Sequence, residues 1–248
     1  MNTTLKNGHH QIGFSLIEMA MVLMIIGTLM GGVLVAVSQT TENARRSTAR
    51  NQLREVETAL YGYAQIHGRL PCPARHDSSG KEVPEGGVNC TSPNGFVPAV
   101  TLNLNGAVNT DGLLLDPWQN PLRYSVASTM IPDFTNPSSI RTFFKNGTPL
   151  DPTNMLSVCS STGCTAGTEL ATTVPAVIIS MGADWASYSS AEEQANGGNG
   201  SPQLGTYNVT SGDEFVSAQY AEDQFDDQLV WISPYVLFNK MISAGKLP

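Results

Sequence analysis

The sequence predicts an α+β protein in which a long N-terminal helix packs on a small, mostly antiparallel β-sheet domain. Three observations predict this class. Residues 14–37 carry no charge except Glu18, residues 38–67 contain no proline and carry one apolar stripe, and after Pro71 short apolar runs alternate with glycine, proline, asparagine and serine. A long helical segment followed by short strands that turn residues separate is typical of this class.

The first half of the helix is long enough to cross a membrane. At the α-helical rise, residues 14–37 span about 36 Å, and the hydrocarbon core of a bilayer is about 30 Å thick. Glu18 is the fifth residue of this segment, and a carboxylate placed deep in hydrocarbon costs roughly 2.5–3.5 kcal/mol on insertion scales. Because an acid in an apolar segment is costly, Glu18 is a candidate functional residue.

The second half, residues 38–68, is predicted to continue the helix as an amphipathic segment. Leu53, Val56, Leu60 and Tyr63 recur at helical spacing, which gives one apolar face that can pack on a domain. Gly68, with Pro71 soon after it, is typical of a helix end.

The globular part is predicted to comprise residues 69–248. Residues 74–95 are expected to form a loop, residues 196–201 a flexible insertion and residues 235–244 a terminal helix. Strands are expected near residues 96–102, 113–115, 122–127, 141–144, 176–181 and 229–233.

Residues 13–18, Gly-Phe-Ser-Leu-Ile-Glu, and the apolar run after them resemble the N-terminus of a type IV prepilin or a type II secretion pseudopilin. The resemblance implies that a prepilin peptidase cuts between Gly13 and Phe14 and methylates the new Phe14 amino group. It also implies that Glu18 becomes the fifth residue of the mature chain. In a filament the Phe14 amine of a neighbouring subunit would neutralise Glu18, which satisfies two groups that are costly alone in lipid.

The leader in this interpretation is residues 1–13. It is polar and lacks the apolar core of a secretory signal, and Gly13 has no side chain to hinder the peptidase. The charges around the span favour the opposite orientation, since four arginines follow it, Arg45, Arg46, Arg50 and Arg54. We give the leader priority, because the peptidase acts on its cytoplasmic side. The globular part is then periplasmic, anchored in the bacterial inner membrane.

Four cysteines in a periplasmic domain predict two disulfides. Four cysteines allow three connectivities, and we expect the local pairs Cys72–Cys90 and Cys159–Cys164. The first pair is worth about 3 kcal/mol in the chain-entropy view. A metal site is the alternative, but the cysteines form no C-x-x-C pair, and His76 is the histidine nearest to them in the globular part.

Three segments of the globular part resemble major secretion pseudopilins. Residues 116–124 resemble Asp-Pro-Trp-Gly-x-Pro-x-x-Tyr, with Gln119 in place of the glycine. Residues 178–184 resemble Ser-x-Gly-Ala-Asp-Gly, with Trp185 in place of the second glycine, and residues 225–231 resemble the Asp-Asp start of a strand. Two prolines and an Asx residue fix a turn, so we interpret residues 116–124 as structural.

The same resemblance implies a calcium-binding loop. Calcium takes six to eight oxygen ligands, including carboxylates. The residues that can supply them are Asp184, Asp226 and Asp227, with Asp213 and Glu222 as further candidates. The sequence lacks EF-hand spacing and Trp185 departs from the pattern, so a solvated acidic surface is the alternative.

Enzymatic motifs are absent from the sequence, which has no G-x-S-x-G, H-E-x-x-H, P-loop or dinucleotide fingerprint. The net charge is −8, and 14% of the residues are charged, which argues against nucleic-acid binding. We expect a structural subunit of a type II secretion pseudopilus or type IV pilus, assembled with other subunits by an inner-membrane platform. The alternatives are a major pilin for adhesion, motility or DNA uptake and, from another class, a membrane-anchored periplasmic enzyme or binding module.

Overall fold

A computed structural model describes residues 15–128, 132–183, 185, 190–197, 214–221 and 224–248, without the side chains of residues 30–38 and 154. The chain divides into two compact units, Met1–Ala44 and Arg45–Pro248. Helices and mainly antiparallel sheets make up the described part, so the predicted α+β class is confirmed. Several predicted site residues lie outside the described residues, namely Gly13, Phe14, Asp184, Asp213 and Glu222.

The longest element is helix α1, Leu16–His67, with 52 residues. In its second half, Ala49, Leu53, Val56 and Leu60 are almost completely buried, as the apolar stripe predicts. The helix ends at His67, and Gly68 after it has a φ of +71° and donates its N–H to the Ala64 carbonyl at 2.8 Å. Among the described residues, no helix combines the length and the apolar character that crossing a membrane requires.

The main sheet has four antiparallel strands in the order β1-β2-β5-β7. The strands are β1 (Asn94–Phe96), β2 (Arg123–Val126), β5 (Ala176–Ser180) and β7 (Gln228–Trp231). Ile178 lies at the centre of the sheet, opposite Tyr124 on one side and Val230 on the other. Three of these strands lie where the sequence predicts them, and β1 is shorter than its predicted run and begins before it.

A second sheet, which the sequence analysis did not predict, has the strand order β4-β3-β6. Its strands are β3 (Leu156–Cys159), β4 (Glu169–Val174) and β6 (Glu214–Val216). The β3–β4 pair is antiparallel and the β3–β6 pair is parallel. The globular unit therefore has two sheets instead of the single one expected.

Three shorter helices complete the fold, α2 (Pro137–Asn146), α3 (Ala191–Gly197) and α4 (Pro234–Ser243). The predicted terminal helix is confirmed by α4, but the strand predicted at residues 141–144 is wrong. The Asn136 side chain accepts the N–H groups of the first turn of α2, and Gly147 closes the helix with a φ of +62°. These caps favour a helix over a short strand.

The prediction of a flexible insertion at residues 196–201 is wrong for its first two residues. Asn196 and Gly197 form the end of α3, and both are buried. One hydrophobic core joins α1, the main sheet and α4 within the second unit, and Leu60, Ile178 and Leu237 are completely buried in it. A side chain of this size gains about 1.5–3 kcal/mol from burial.

Candidate functional site

The start of α1 carries a reciprocal pair of hydrogen bonds. The Ser15 N–H donates to Glu18 Oε2 at 3.3 Å, and the Glu18 N–H donates to Ser15 Oγ at 3.2 Å. This is a capping box, in which a serine before the helix and an acid three residues later satisfy each other's backbone donors. The Ser-x-x-Glu signal is visible in the sequence, and the sequence analysis missed it.

The first turns of α1 expose a continuous apolar surface. Thr28 Oγ1 donates to the carbonyls of Met24 and Ile25, so its hydroxyl is satisfied within the helix. Large exposed apolar patches on proteins mark interaction surfaces. The exposed apolar side chains are Leu16, Ile17, Met19, Met21, Val22, Leu23, Met24, Ile25, Ile26 and Leu29.

A buried turn at Asp116 organises the globular part. Asp116 Oδ1 accepts the backbone N–H groups of Trp118 and Asn120, each at 2.9 Å. Gln119 has a φ of +71°, a conformation that glycine adopts without strain. The glutamine therefore occupies a left-handed position, which explains why the resembling pattern has glycine there.

The same turn is bonded to the end of β5. Ser180 Oγ donates to Asp116 Oδ2 at 2.7 Å, and Asn120 Nδ2 donates to the Gly182 carbonyl at 2.6 Å. Burial raises the pKa of the Asp116 carboxyl, and its hydrogen bonds partly offset this shift. Two of the three segments that resemble pseudopilins thus form one hydrogen-bonded unit.

Asp226 joins the third segment to this unit. Its Oδ2 accepts the Ala183 N–H at 2.6 Å. Gly182 has a φ of +64°, and a Cβ at this position would collide with the Asp226 carboxylate. The arrangement requires glycine at position 182 and gives Asp226 a structural function.

Residues 8–34 match the family model described as the prokaryotic N-terminal methylation motif. The chain carries this motif. The motif spans Gly13, Phe14 and Glu18, the residues on which the resemblance to prepilins and pseudopilins rests. The resemblance stated from the sequence is therefore confirmed.

A curated relative supports the same assignment for the N-terminal part. Competence protein ComGC of Halalkalibacterium halodurans is 36% identical over 66 residues, which are 27% of this chain and 65% of that protein. The chain thus spans slightly less than two thirds of the length of this relative. No solved structure matches the chain significantly.

The two described acids of the predicted calcium loop have different partners. Asp226 binds the Ala183 N–H, whereas Asp227 Oδ2 accepts from Asn196 Nδ2 at 2.7 Å. Burial raises the pKa of Asp227 well above its usual value. Among the described residues, no group of three His, Cys, Asp or Glu side chains is arranged to hold a metal ion. Asp226 and Asp227 therefore have separate partners in the protein, and calcium binding together with Asp184, which lies outside the described residues, stays a prediction.

The cysteines form two disulfides in the structure, Cys72–Cys90 and Cys159–Cys164, with Cα–Cα distances of 5.3 and 5.4 Å. These are the local pairs that the sequence analysis favours. The first bond closes the loop that follows α1, and the second closes a short turn after β3.

A buried ion pair ties the first disulfide loop to the end of α1. Arg69 Nη1 and Nη2 donate to the two carboxylate oxygens of Glu82 at 2.9 and 2.8 Å. The same carboxylate accepts from the Tyr63 hydroxyl and the Cys72 N–H. Burial raises the pKa of Glu82, but these hydrogen bonds outweigh burial and leave the pKa below its usual value. No sequence motif indicates this cluster.

Proposed function

We propose that this chain is a structural subunit of a type II secretion pseudopilus or a type IV pilus. In this proposal a prepilin peptidase removes residues 1–13, and residues 14–37 insert in the inner membrane. The methylation motif at residues 8–34 carries the proposal. The exposed apolar start of α1 supports it, because such a surface needs lipid or other helices as partners.

Glu18 is the proposed assembly residue. The capping box holds its carboxylate at the start of α1, close in sequence to the amino group that cleavage would create at Phe14. During assembly the Phe14 amine of a neighbouring subunit would pair with this carboxylate, and each group would lose the cost of being charged alone in an apolar medium. The chain is then the cargo of a membrane platform that a cytoplasmic ATPase drives.

The globular part would lie in the periplasm, an oxidising compartment in which disulfides persist. The two disulfides of the structure agree with this location. A pilus for DNA uptake is the second candidate, and the similarity to a competence protein favours it over adhesion or motility.

Cleavage provides the first test. The full chain, produced with prepilin peptidase, is expected to begin at Phe14 and to carry one additional methyl group by mass spectrometry. Gly13→Val is expected to keep the leader, because a larger side chain obstructs the peptidase. Gly8→Val, a matched change within the leader, is expected to be cut normally. A chain that retains Met1, or begins elsewhere, contradicts the proposal.

Assembly provides the second test. Glu18→Gln keeps an oxygen for the capping box and removes the charge, whereas Glu18→Ala removes both. Both variants are expected to insert and be cleaved, and membrane abundance of the alanine variant should hold steady or rise. Sheared filament material should fall by about tenfold or more in both, since a charge-assisted hydrogen bond is worth roughly 1.5–3 kcal/mol. Filaments at wild-type levels in the glutamine variant would show that the charge is not the assembly contact.

A further inference from the structure

A groove lined by arginines lies in the second unit between α1, β7 and residues 217–220, with a volume of about 580 Å³. We call it the arginine groove. Its helical wall carries Arg46, Arg50 and Arg54. Residues four apart lie on the same side of a helix, so the three side chains form one row. The chain has 13 basic and 21 acidic residues, and three of its basic residues are thus concentrated in one recess.

One arginine of the row is held by a neighbouring side chain, and the other two are exposed. The Arg46 guanidinium lies over the Tyr220 ring, 3.3 Å from its centroid, which fixes this cation by a cation–π contact. Arg50 and Arg54 are exposed. The row therefore presents one fixed cation and two that remain accessible to an incoming group.

Some buried polar atoms in the wall of the groove make no hydrogen bond within the described part of the chain. Gln228 is 7% exposed, and neither its amide nitrogen nor its amide oxygen has a hydrogen-bond partner within the described part of the chain. The Nε atom of Arg46 is also buried and has no hydrogen-bond partner within the described part of the chain. Buried polar groups in native proteins are nearly always paired, so these atoms leave donors and an acceptor in the wall that a polar partner can satisfy.

Asp227 is the one acid among the described residues that line the groove. Its carboxyl is buried and bonded to Asn196, and burial, the main cause, raises its pKa well above the usual value. Three arginines against one acid give these lining residues a net positive charge whether or not Asp227 is ionised.

The chemistry of the wall selects an anion on a narrow, protruding segment. Arginine forks bind carboxylates in a planar geometry, and the Gln228 amide adds a donor. The groove is a recess of about 580 Å³, which a side chain on an extended segment can enter. Among the described residues, β7 is the last strand of its sheet, and an edge strand of this kind can pair with an added extended segment.

We propose that the arginine groove binds an acidic, extended segment of a second copy of this chain. Each copy carries a net charge of −8. The surface of one copy outside its groove is therefore complementary in charge to the groove of another copy. Groove and acidic segment are different surfaces, so the contact is head-to-tail and can propagate as a filament. The choice of a second copy as the occupant rests on the proposed filament function.

Photo-cross-linking tests this contact in cells that produce the full chain with two different epitope tags. A photoreactive residue replaces Gln219, which lines the groove and is exposed. We expect an adduct that carries both tags and that maps to a peptide containing Asp or Glu. Adducts with lipid or with other proteins only, or no adduct, would overturn the proposal.

Charge reversal on the groove provides the matched comparison. Arg50→Glu with Arg54→Glu is expected to lower the adduct yield by about tenfold or more. Arg45→Glu with Arg141→Glu makes the same change of charge at exposed sites outside the groove and is expected to leave the yield unchanged. Equal yields from the two double variants would refute the contact.

A further variant separates binding from folding. Gln228→Leu removes the unpaired amide, so the protein is expected to fold at least as stably while its adduct yield falls. An unchanged yield would contradict the part assigned to Gln228.

Sequencing the N-terminus of the same samples separates the two proposals. A mature chain whose groove variants cross-link normally refutes the groove alone, whereas an uncut chain that still forms the adduct refutes the filament function alone.

Discussion

Replacing Glu82 with alanine tests how the first disulfide loop is fixed to α1. The substitution removes the acceptor of both Arg69 nitrogens, at 2.9 and 2.8 Å, of the Tyr63 hydroxyl at 2.9 Å and of the Cys72 N–H at 3.0 Å. Arg69 and Glu82 are only 5% and 4% exposed. The variant therefore leaves a buried cation without its counter-ion.

Removing one partner of a buried ion pair typically costs about 3–5 kcal/mol. Arg69 keeps two bonds in the variant, to the Leu70 carbonyl at 3.0 Å and to the Tyr63 oxygen at 2.7 Å. A cavity of about 400 Å³ adjoins the cluster and gives water access to the vacated space. Both facts place the expected loss of unfolding free energy at the lower end, about 3 kcal/mol.

The matched control is Glu85→Ala in the same loop. Glu85 is 75% exposed in its side chain and pairs with Lys81 at 3.3 Å, so its loss is expected to cost less than about 1 kcal/mol. Urea unfolding of the purified full chain, followed by tryptophan fluorescence, measures both variants. If the two variants lose equal stability, the cluster does not anchor the loop.

The pH dependence gives the same experiment a second readout. The pKa of Glu82 in the folded protein lies below its usual value of 4.5, so the unfolded chain binds more protons in that range. The stabilisation is therefore complete above pH 4.5 and is lost as the pH falls through the folded pKa. The difference between wild type and Glu82→Ala is expected to shrink on acidification.

Three further outcomes are expected. Peptide mapping of unreduced protein should recover Cys72–Cys90 and Cys159–Cys164, and crossed pairs or free thiols would contradict the assigned connectivity. Gly182→Ala should lower the unfolding free energy by about 1–3 kcal/mol more than Gly147→Ala, which has a similar φ but open space at Cβ; equal losses would refute the close approach of the neighbouring carboxylate. Asp227→Asn should stabilise the protein at neutral pH, because the raised pKa makes the wild type lose stability as pH rises above 3.8. The difference in unfolding free energy between Asp227→Asn and the wild type should grow by up to about 1.4 kcal/mol per pH unit. A difference that is constant with pH would refute the raised pKa.

The helix α1 and three strands of the main sheet could be predicted because the local spacing of apolar residues indicates which of their residues are buried. Leu53, Val56 and Leu60 recur at helical spacing and are buried together. The run at residues 176–181 is apolar except for Ser180, and β5 is correspondingly an inner strand, with every residue buried. In both cases the period or the length of the apolar run identifies the element.

The second sheet could not be predicted in the same way. Its β3 and β6 strands pair in parallel although about sixty residues separate them in the chain, and β6 has only three residues. The helix α2 was missed for a different reason, because its caps at Asn136 and Gly147 were visible but were outweighed by the short apolar run that they enclose. A local rule was available there, whereas none exists for β6.

The same division holds for the candidate sites. Gly13, Phe14 and Glu18 are predicted from a short motif, and Ser15 belongs to the same segment. By contrast, the Arg69–Glu82 pair joins charges that lie on opposite sides of Cys72, and only the folded loop brings them together.

The capping box explains why an acid is tolerated at position 18, within the otherwise apolar first part of α1. The first N–H groups of a helix have no carbonyl partner within it, and in hydrocarbon each unpaired group is costly. Ser15 and Glu18 each accept one backbone N–H at the start of α1. A carboxylate further along the helix would have no such donor, because every N–H there already binds a carbonyl one turn earlier. At the helix start, the Glu18 carboxylate therefore has a local hydrogen-bond partner, the Ser15 N–H. In the proposed assembly, the Phe14 amine of a neighbouring subunit replaces this partner.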